Sequence, residues 1–237
     1  MTRKSLIGPT LFTVAGLVLL LGLGTWQVER LAWKNGLIAA RQAAVVAPAV
    51  PLPQSLDAGC DLEFHRVRAE GRLLNDRELY LHATDAAGDQ GYHIVTPLAL
   101  ARGGTVLVDR GFVPERLKAP DTRATANYDG AAAVTGLLRL PPQGKASWFV
   151  PDNEPGRNEW FTLDPPAMAQ AAGVADALPF FIDADATPNP GGYPVGGQTP
   201  LDLPNNHLQY AITWYALAGC LVIVYILLVR RRRGEAK

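Results

Sequence analysis

Ser5–Val28 reads SLIGPTLFTVAGLVLLLGLGTWQV, and Leu203–Val229 reads LPNNHLQYAITWYALAGCLVIVYILLV; neither stretch contains a charge. A helical residue advances about 1.5 Å, so each run outreaches a bilayer hydrocarbon core of roughly 30 Å. The pair predicts a membrane protein, a two-transmembrane-helix hairpin bracketing a water-soluble middle. The expected divisions are a tail and first transmembrane helix over 1–28 and a periplasmic α+β domain with Pro-rich connectors over 29–206. A second transmembrane helix over 207–229 and a basic cytoplasmic tail over 230–237 complete the chain.

Orientation follows from the flanks. Arg3 and Lys4 precede the first run, and Arg230, Arg231, Arg232, Arg233 and Lys237 follow the second, against the single acid Glu235. The positive-inside rule places both termini in the cytoplasm. From Glu29 to Asp202 there are 15 basic and 21 acidic residues, so the zero net charge joins two regions of opposite sign. The arginine run is read as a topology anchor, and no nucleic-acid role is expected. A signal peptide has an apolar core of about 7–15 residues, shorter than this one. Here the run passes into Trp26, Gln27 and Arg30 without a small-x-small cleavage site, so an uncleaved anchor is expected. No Arg- and Ser-rich amphipathic leader precedes Leu6, which favours a bacterial inner (plasma) membrane with the large loop in the periplasm.

Between the spans, Ala43–Gln54 and Thr187–Pro204 are Pro-rich and read as extended connectors. Strand signals fill the rest: Phe64–Gly71 and Glu78–His82 alternate in sidedness, and Tyr92–Leu100 and Thr105–Val113 flank Ala101-Arg102-Gly103-Gly104, a hairpin signature. Ala131–Leu140 and Pro179–Asp183 are further strands. Pro165–Ala172 reads as a helix capped by Asp164. The sum is a mainly antiparallel sheet or open barrel with one or two short helices.

Chemistry is sparse in this middle. Cys60 and Cys220 fall in different regions and should not pair, and no Cys pair or His cluster has metal-site spacing. Asp109-Arg110-Gly111, with His93 on the neighbouring strand, admits a general base and its orienting carboxylate. The preferred reading is plainer, an Asp109–Arg110 pair closing a strand end, because no nucleophile motif accompanies it. His65 and His82 read as surface strand residues, Trp148 and Trp160 as core or rim aromatics.

The outer ends of the two spans are richer. On a continuing helix Trp26, Arg30 and Trp33 share a face, with Gln27 beside Arg30 and Lys34. Across from them His207, Tyr210 and Trp214 form a stripe, and Asn205 or Asn206 can cap the helix. Gly22 and Gly24, facing Ala211, Ala216, Ala218 and Gly219, permit close approach. An aromatic belt explains most of the rings, and snorkelling explains Arg30 and Lys34. His207 is different. An imidazole at the hydrocarbon edge is paired, titrating or a metal ligand, and neutral imidazole is an axial donor to haem iron. A haem between the helices would lie among Trp26, Trp214 and small residues, its propionates toward Arg30 and Lys34.

Gly24-x-Trp26-Gln27-x-x-Arg30-x-x-Trp33-Lys34 and Asn205-Asn206-His207-Leu208-Gln209-Tyr210-Ala211-x-Thr213-Trp214 resemble motifs of the surfeit-locus (Surf/Shy) family of cytochrome c oxidase assembly factors, bacterial type. Val106–Pro114 resembles that family's central strand motif, with Asp109 and Phe112 where Asn and Trp are frequent; Tyr92–Leu98 and Asn158–Phe161 also match. The resemblance implies a non-enzymatic chaperone of respiratory chain biogenesis, assisting insertion of haem a into subunit I of a haem-copper oxidase, with haem a synthase as a further partner. It implies His207 as the haem-iron ligand and Trp26, Gln27 and Arg30 as haem contacts, to which Lys34, Tyr210 and Trp214 are added from their position. The alternatives are a cofactor-free membrane-anchored scaffold for an oxidase assembly intermediate and, ranked below it, a periplasmic hydrolase using His93 and Asp109.

Overall fold

Both uncharged runs are helical in the computed structural model, which describes residues 6–55, 62–85, 87–126, 130–142, 144 and 147–234. Helix α1 spans Ile7–Val46 and helix α3 His207–Gly234. Each is long and apolar enough to cross a membrane, and only 11% and 6% of their most apolar windows are buried within the protein. A core helix of a soluble domain would be mostly covered, so these surfaces need another apolar environment. At 40 residues, α1 runs about 60 Å and continues through the start of the Ala43–Gln54 stretch expected to be extended. Cys60 and the charges at Arg3, Lys4, Glu235 and Lys237 lie outside the described residues.

The chain divides into two compact units, residues 1–40 with 202–237, and residues 41–201. In the second unit the strands are β1 (Val50–Pro51), β2 (Arg66–Leu73), β3 (Leu79–Thr84), β4 (Gln90–Leu100), β5 (Thr105–Pro114), β6 (Ala131–Arg139), β7 (Glu159–Trp160) and β8 (Ala177–Ala184), with helix α2 at Pro165–Ala171 before β8. The alternating stretches therefore form strands within a few residues of where they were expected. Gly103 and Gly104 take positive φ at the β4–β5 turn, and the Asp164 carboxylate accepts from Ala167 N at 3.2 Å, capping α2.

The sheet is not simply antiparallel. Its order is β1-β2-β6-β8-β5-β4-β3-β7, and β2 also pairs with β4, which closes β2, β6, β8, β5 and β4 into a barrel. Three pairings are parallel: β1 with β2, β3 with β7, and β5 with β8. Closure is possible because β4 is long. Its Gln90–Val95 half pairs with β3, while Leu98–Leu100 pairs with β2. Side chains alternate across β5: Val106 and Val108 join the cluster of Val67, Leu98, Leu138, Phe180 and Ile182, while Leu107 joins Leu79, Val95, Trp160, Met168 and Phe181 beneath α2. With both faces covered, β5 is buried along nearly its whole length and reads as a continuous apolar run.

That alternation corrects the expected Asp109–Arg110 pair. Adjacent strand residues point to opposite faces. Arg110 meets the buried Glu78 carboxylate at 3.3 Å, which also takes Arg123 at 2.7 Å, whereas Asp109 meets His93. The two expected core or rim tryptophans also part company: Trp160 is fully buried, Trp148 stands 91% exposed.

Candidate functional site

Four side-chain contacts fix the register of α1 against α3. Thr10 Oγ1 lies 2.6 Å from Tyr225 Oη, Thr25 Oγ1 3.3 Å from Tyr215 Oη, Gln27 Oε1 2.7 Å from His207 Nδ1, and Asn205 Nδ2 donates to Asn35 Oδ1 at 2.8 Å. Residue numbers rise on one helix as they fall on the other, so the helices are antiparallel. The seam is built from small residues. Thr13 and Gly24 are buried on α1, Ala211 and Ala218 on α3. A Cβ on Gly24 would stand 2.7 Å from the Tyr215 ring, and one on Gly16 2.9 Å from Leu221. Gly22 and Gly219 have nothing within 4 Å and Ala216 is exposed, so those three do not serve the approach expected of them. Asn205 spends its amide on Asn35, and Asn206 supplies the carbonyl that Tyr210 N reaches at 3.2 Å.

Gln27, 8% exposed, is enclosed in this seam as Thr13 is, but it carries an amide. With its Oε1 toward the ring, His207 Nδ1 carries the proton and Nε2 the lone pair. The contact fixes the tautomer and ring plane as a carboxylate or carbonyl does behind a metal-ligating histidine. His207 is half-buried, as are Lys34 and Trp214, while Trp26 and Tyr210 are more than half exposed. Tyr210 thus stands off the seam, which runs through His207, Ala211, Trp214 and Ala218. Arg30 is exposed and stacks 4.0 Å over the Trp33 ring. Of the residues proposed from sequence, then, His207 and Gln27 are joined directly, and the remaining five surround that contact within two helical turns on either helix. Among the described residues no three His, Cys, Asp or Glu side chains are placed to hold a metal ion.

A second constellation lies in the barrel unit. His93 Nδ1 is 2.7 Å from Asp109 Oδ2, and Asp109 Oδ1 accepts from Gly111 N at 2.9 Å. A register shift between His93 and Val95 accompanies this pairing. Asp109 sits beside Asp183 in the parallel β5–β8 register, and Asp183 Oδ2 accepts from Arg139 Nη1 and Thr199 Oγ1, each at 2.8 Å. These side chains line a cavity of about 510 Å³ walled by Leu81, Leu140, Leu163 and Phe181. Burial and then the Asp109 charge push the Asp183 carboxyl up to about 6, although Arg139 and Thr199 oppose the shift. Burial pulls His93 down, but the hydrogen bond and charge of Asp109 and the charge of Asp183 outweigh it, so its pKa is raised. The described lining holds neither Ser nor Cys, and Thr199 already donates its hydroxyl to Asp183. Sequence reasoning paired His93 with Asp109 as an option but missed Asp183, Arg139 and Thr199. No spacing marks them: the β6–β8 pairing brings in Arg139 and Asp183, and the segment after the Phe112–Val195 bridge brings in Thr199.

Of the two histidines expected on strand surfaces, His82 in β3 fits and His65 does not. His82 is partly exposed, stacks on Phe161 at 4.4 Å and meets Glu159 at 2.5 Å. His65 precedes β2 with a buried, unpartnered Nδ1.

Comparison with known proteins places the motifs in context. The SURF1 family profile matches residues 14–219. Surfeit locus protein 1 of Mus musculus is 40% identical over 213 residues, covering 84% of this chain and 68% of the relative. The protein of the same name from Homo sapiens is 38% identical, covering 84% and 70%. A SURF1-like protein from Monosiga brevicollis is 36% identical, covering 92% and 85%. The matched span begins inside α1 and ends inside α3, so it takes in the Gln27–His207 contact and the whole barrel. By these matches the chain belongs to the SURF1 family.

Proposed function

We propose that the protein is a membrane-integral assembly factor for a haem-copper terminal oxidase, holding haem a at the helix pair and assisting its insertion into subunit I. The observation that carries this reading is the 2.7 Å contact between Gln27 and His207. A buried amide spent on orienting one imidazole is a costly arrangement for a helix seam of glycine and alanine, and it leaves Nε2 as a directed donor. The residues suit the cargo. His207 offers the axial nitrogen, Arg30 and Lys34 offer cations for propionates, and Trp26, Tyr210 and Trp214 offer ring faces for an apolar macrocycle. Haem bound there would bring its own redox chemistry to the recipient oxidase.

The chain's residues hold, orient and release; no bond in the cargo is made or broken, so we regard the protein as a chaperone and not an enzyme. His207 as the one ligand from this chain would suit handover, since a single donor would give the cargo up to donors on the client. The basic flanks support both ends lying in the cytoplasm of a bacterial plasma membrane with residues 41–201 in the periplasm; haem a synthase is the partner expected to supply the cargo.

Co-production of the chain with a haem a synthesis pathway tests the proposal. The purified protein should carry a Soret band that His207→Ala abolishes. A colourless wild-type protein that still supports oxidase assembly would replace the proposal with a cofactor-free scaffold.

A further inference from the structure

The barrel cavity is not needed for haem binding at the helices, yet its polar atoms are arranged with unusual economy. Asp109 has both oxygens engaged, one by His93 and one by Gly111 N. Asp183 has Oδ2 engaged by Arg139 and Thr199. Three polar atoms of the cluster have no hydrogen-bond partner among the described residues: the acceptors Asp183 Oδ1 and His93 Nε2, and the donor Arg139 Nε, which is itself buried away from the open space. Above its raised pKa the neutral His93 turns its Nδ1 proton to Asp109 and leaves Nε2 an acceptor, and ionised Asp183 Oδ1 is one also. The described lining holds three carboxylates, Glu63, Asp109 and Asp183, against one permanent cation, Arg139. Arg139 is held by Asp183 and lies 4.6 Å and 5.8 Å over the Phe64 and Phe181 rings, and its Nε is buried. Open acceptors on a floor of negative balance call for a donor of positive charge. The walls, Leu81, Leu140, Pro141, Leu163 and Pro200 among them, are aliphatic, and the volume is that of a small-ligand site, on the sheet face that carries Leu107 and Phe181.

We propose that this cavity receives a cationic group on an aliphatic stem, an alkylammonium or guanidinium, donating to Asp183 Oδ1 and His93 Nε2 while the stem packs on the leucines and prolines. The source is a free amine or a Lys or Arg side chain of a polypeptide. The site works with the proton state of its floor. Facing the bound cation are Glu63 ahead of β2, His93 on β4, Asp109 on β5, Arg139 on β6 and Asp183 on β8. As pH falls, His93 and Asp183 take up protons, the acceptors become donors, and the cation is released.

The test uses the full chain in nanodiscs, with imidazole ¹⁵N resonances of His93 and calorimetry as readouts. The probes are n-pentylammonium, its neutral counterpart n-pentanol, and the peptide acetyl-Ala-Lys-Ala-amide with its norleucine analogue. Pentylammonium should bind saturably, at least tenfold tighter than pentanol, and shift the His93 signals. Binding should weaken between pH 8 and pH 5 and fall at least tenfold in Asp183→Asn, while His207→Ala leaves it unchanged. The peptide binding tenfold tighter than pentylammonium identifies a polypeptide side chain as the source; the reverse identifies a free amine. Pentanol binding as tightly as pentylammonium, or no saturable shift of His93 by either cation, overturns the proposal. The wild-type comparison of ammonium with alcohol does not depend on any variant folding.

Discussion

Gln27 is an uncharged polar side chain enclosed among glycine, alanine and threonine, and its partner is one imidazole nitrogen. Gln27→Leu keeps the volume and removes the acceptor. It should lower haem affinity about 10- to 100-fold, the usual cost of losing a ligand's orienting partner, with little change in thermal stability. Gln27→Glu keeps an acceptor and should lose less; haem titration of the two variants gives the order. At His93 and Asp183 the consequence is a pH slope. Both pKa values are raised in the fold. The folded protein therefore holds protons that the unfolded chain has released, first on Asp183 between its ordinary 3.8 and about 6, then on His93 above its ordinary 6.5. Stability from these groups is present at the acid end and is lost as pH rises through each folded value. The melting temperature of the barrel should fall by roughly 3–6 °C between pH 5 and pH 8. The double variant His93→Gln, Asp183→Asn should flatten that slope, leaving only opposing contributions such as Glu159, whose pKa is lowered by Lys118 and His82 against the effect of burial.

At the scale of elements, two glycines separate necessary from incidental. A side chain at Gly24 would meet the Tyr215 ring, whereas Gly22 faces open space. Gly24→Leu should therefore part the helices and Gly22→Leu should not. The yield of a disulfide between Cys introduced at Asn35 and Asn205, in a background with Cys60 and Cys220 replaced by Ser, reports the difference. Gly111 carries φ of +111°, and a Cβ there would fall 2.0 Å from Val195 O, where Phe112 pairs with Val195. Gly88 has φ of +93° but open space. Gly88→Ala should cost about 1 kcal/mol of backbone strain. Gly111→Ala should cost several-fold more in a denaturant titration, because it also displaces the 195–200 segment that lines the cavity. The strands themselves were legible as alternation and turn chemistry, and Pro165 after Asp164 announced α2. Two-residue β1 and β7 were not, since so short a run has no period to read. Nor was the pairing of β5 with β8, which sets Asp183 beside Asp109 across more than 70 residues of sequence without any local mark. The Gln27–His207 contact lies between these cases: both residues were singled out from their place at the ends of apolar runs, but the hydrogen bond between them depends on a helix register that no single-strand periodicity carries.

The whole molecule joins two surfaces of different character. Residues 29–202 carry an excess of acid and the segments beyond the apolar runs an excess of base. Barrel closure followed from the length of β4, a property visible in the sequence as an uninterrupted run, yet the choice of β2 as the closing strand is a tertiary one. The charge division was legible at once because it needs only counting, and it has a consequence for topology that the fold by itself does not dictate. In the orientation proposed above, Arg230 to Arg233 stay on the cytoplasmic side, which would keep four guanidiniums from crossing the bilayer, where each costs about 2.5–3.5 kcal/mol at the centre of a helix. By the same proposal the start of α1 lies on that side and residues 41–201 on the other. With Cys60 and Cys220 replaced by Ser, a Cys at exposed Ala175 should react with a membrane-impermeant maleimide in intact cells, and a Cys at Gly234 should react only after lysis. Replacing Arg230 to Arg233 with Ser while adding four arginines in the 187–204 connector should raise the reactivity of the Cys at Gly234 in intact cells. If Ala175 stays protected in the parent protein, the charge asymmetry does not set the orientation, and the periplasmic placement of the barrel fails with it.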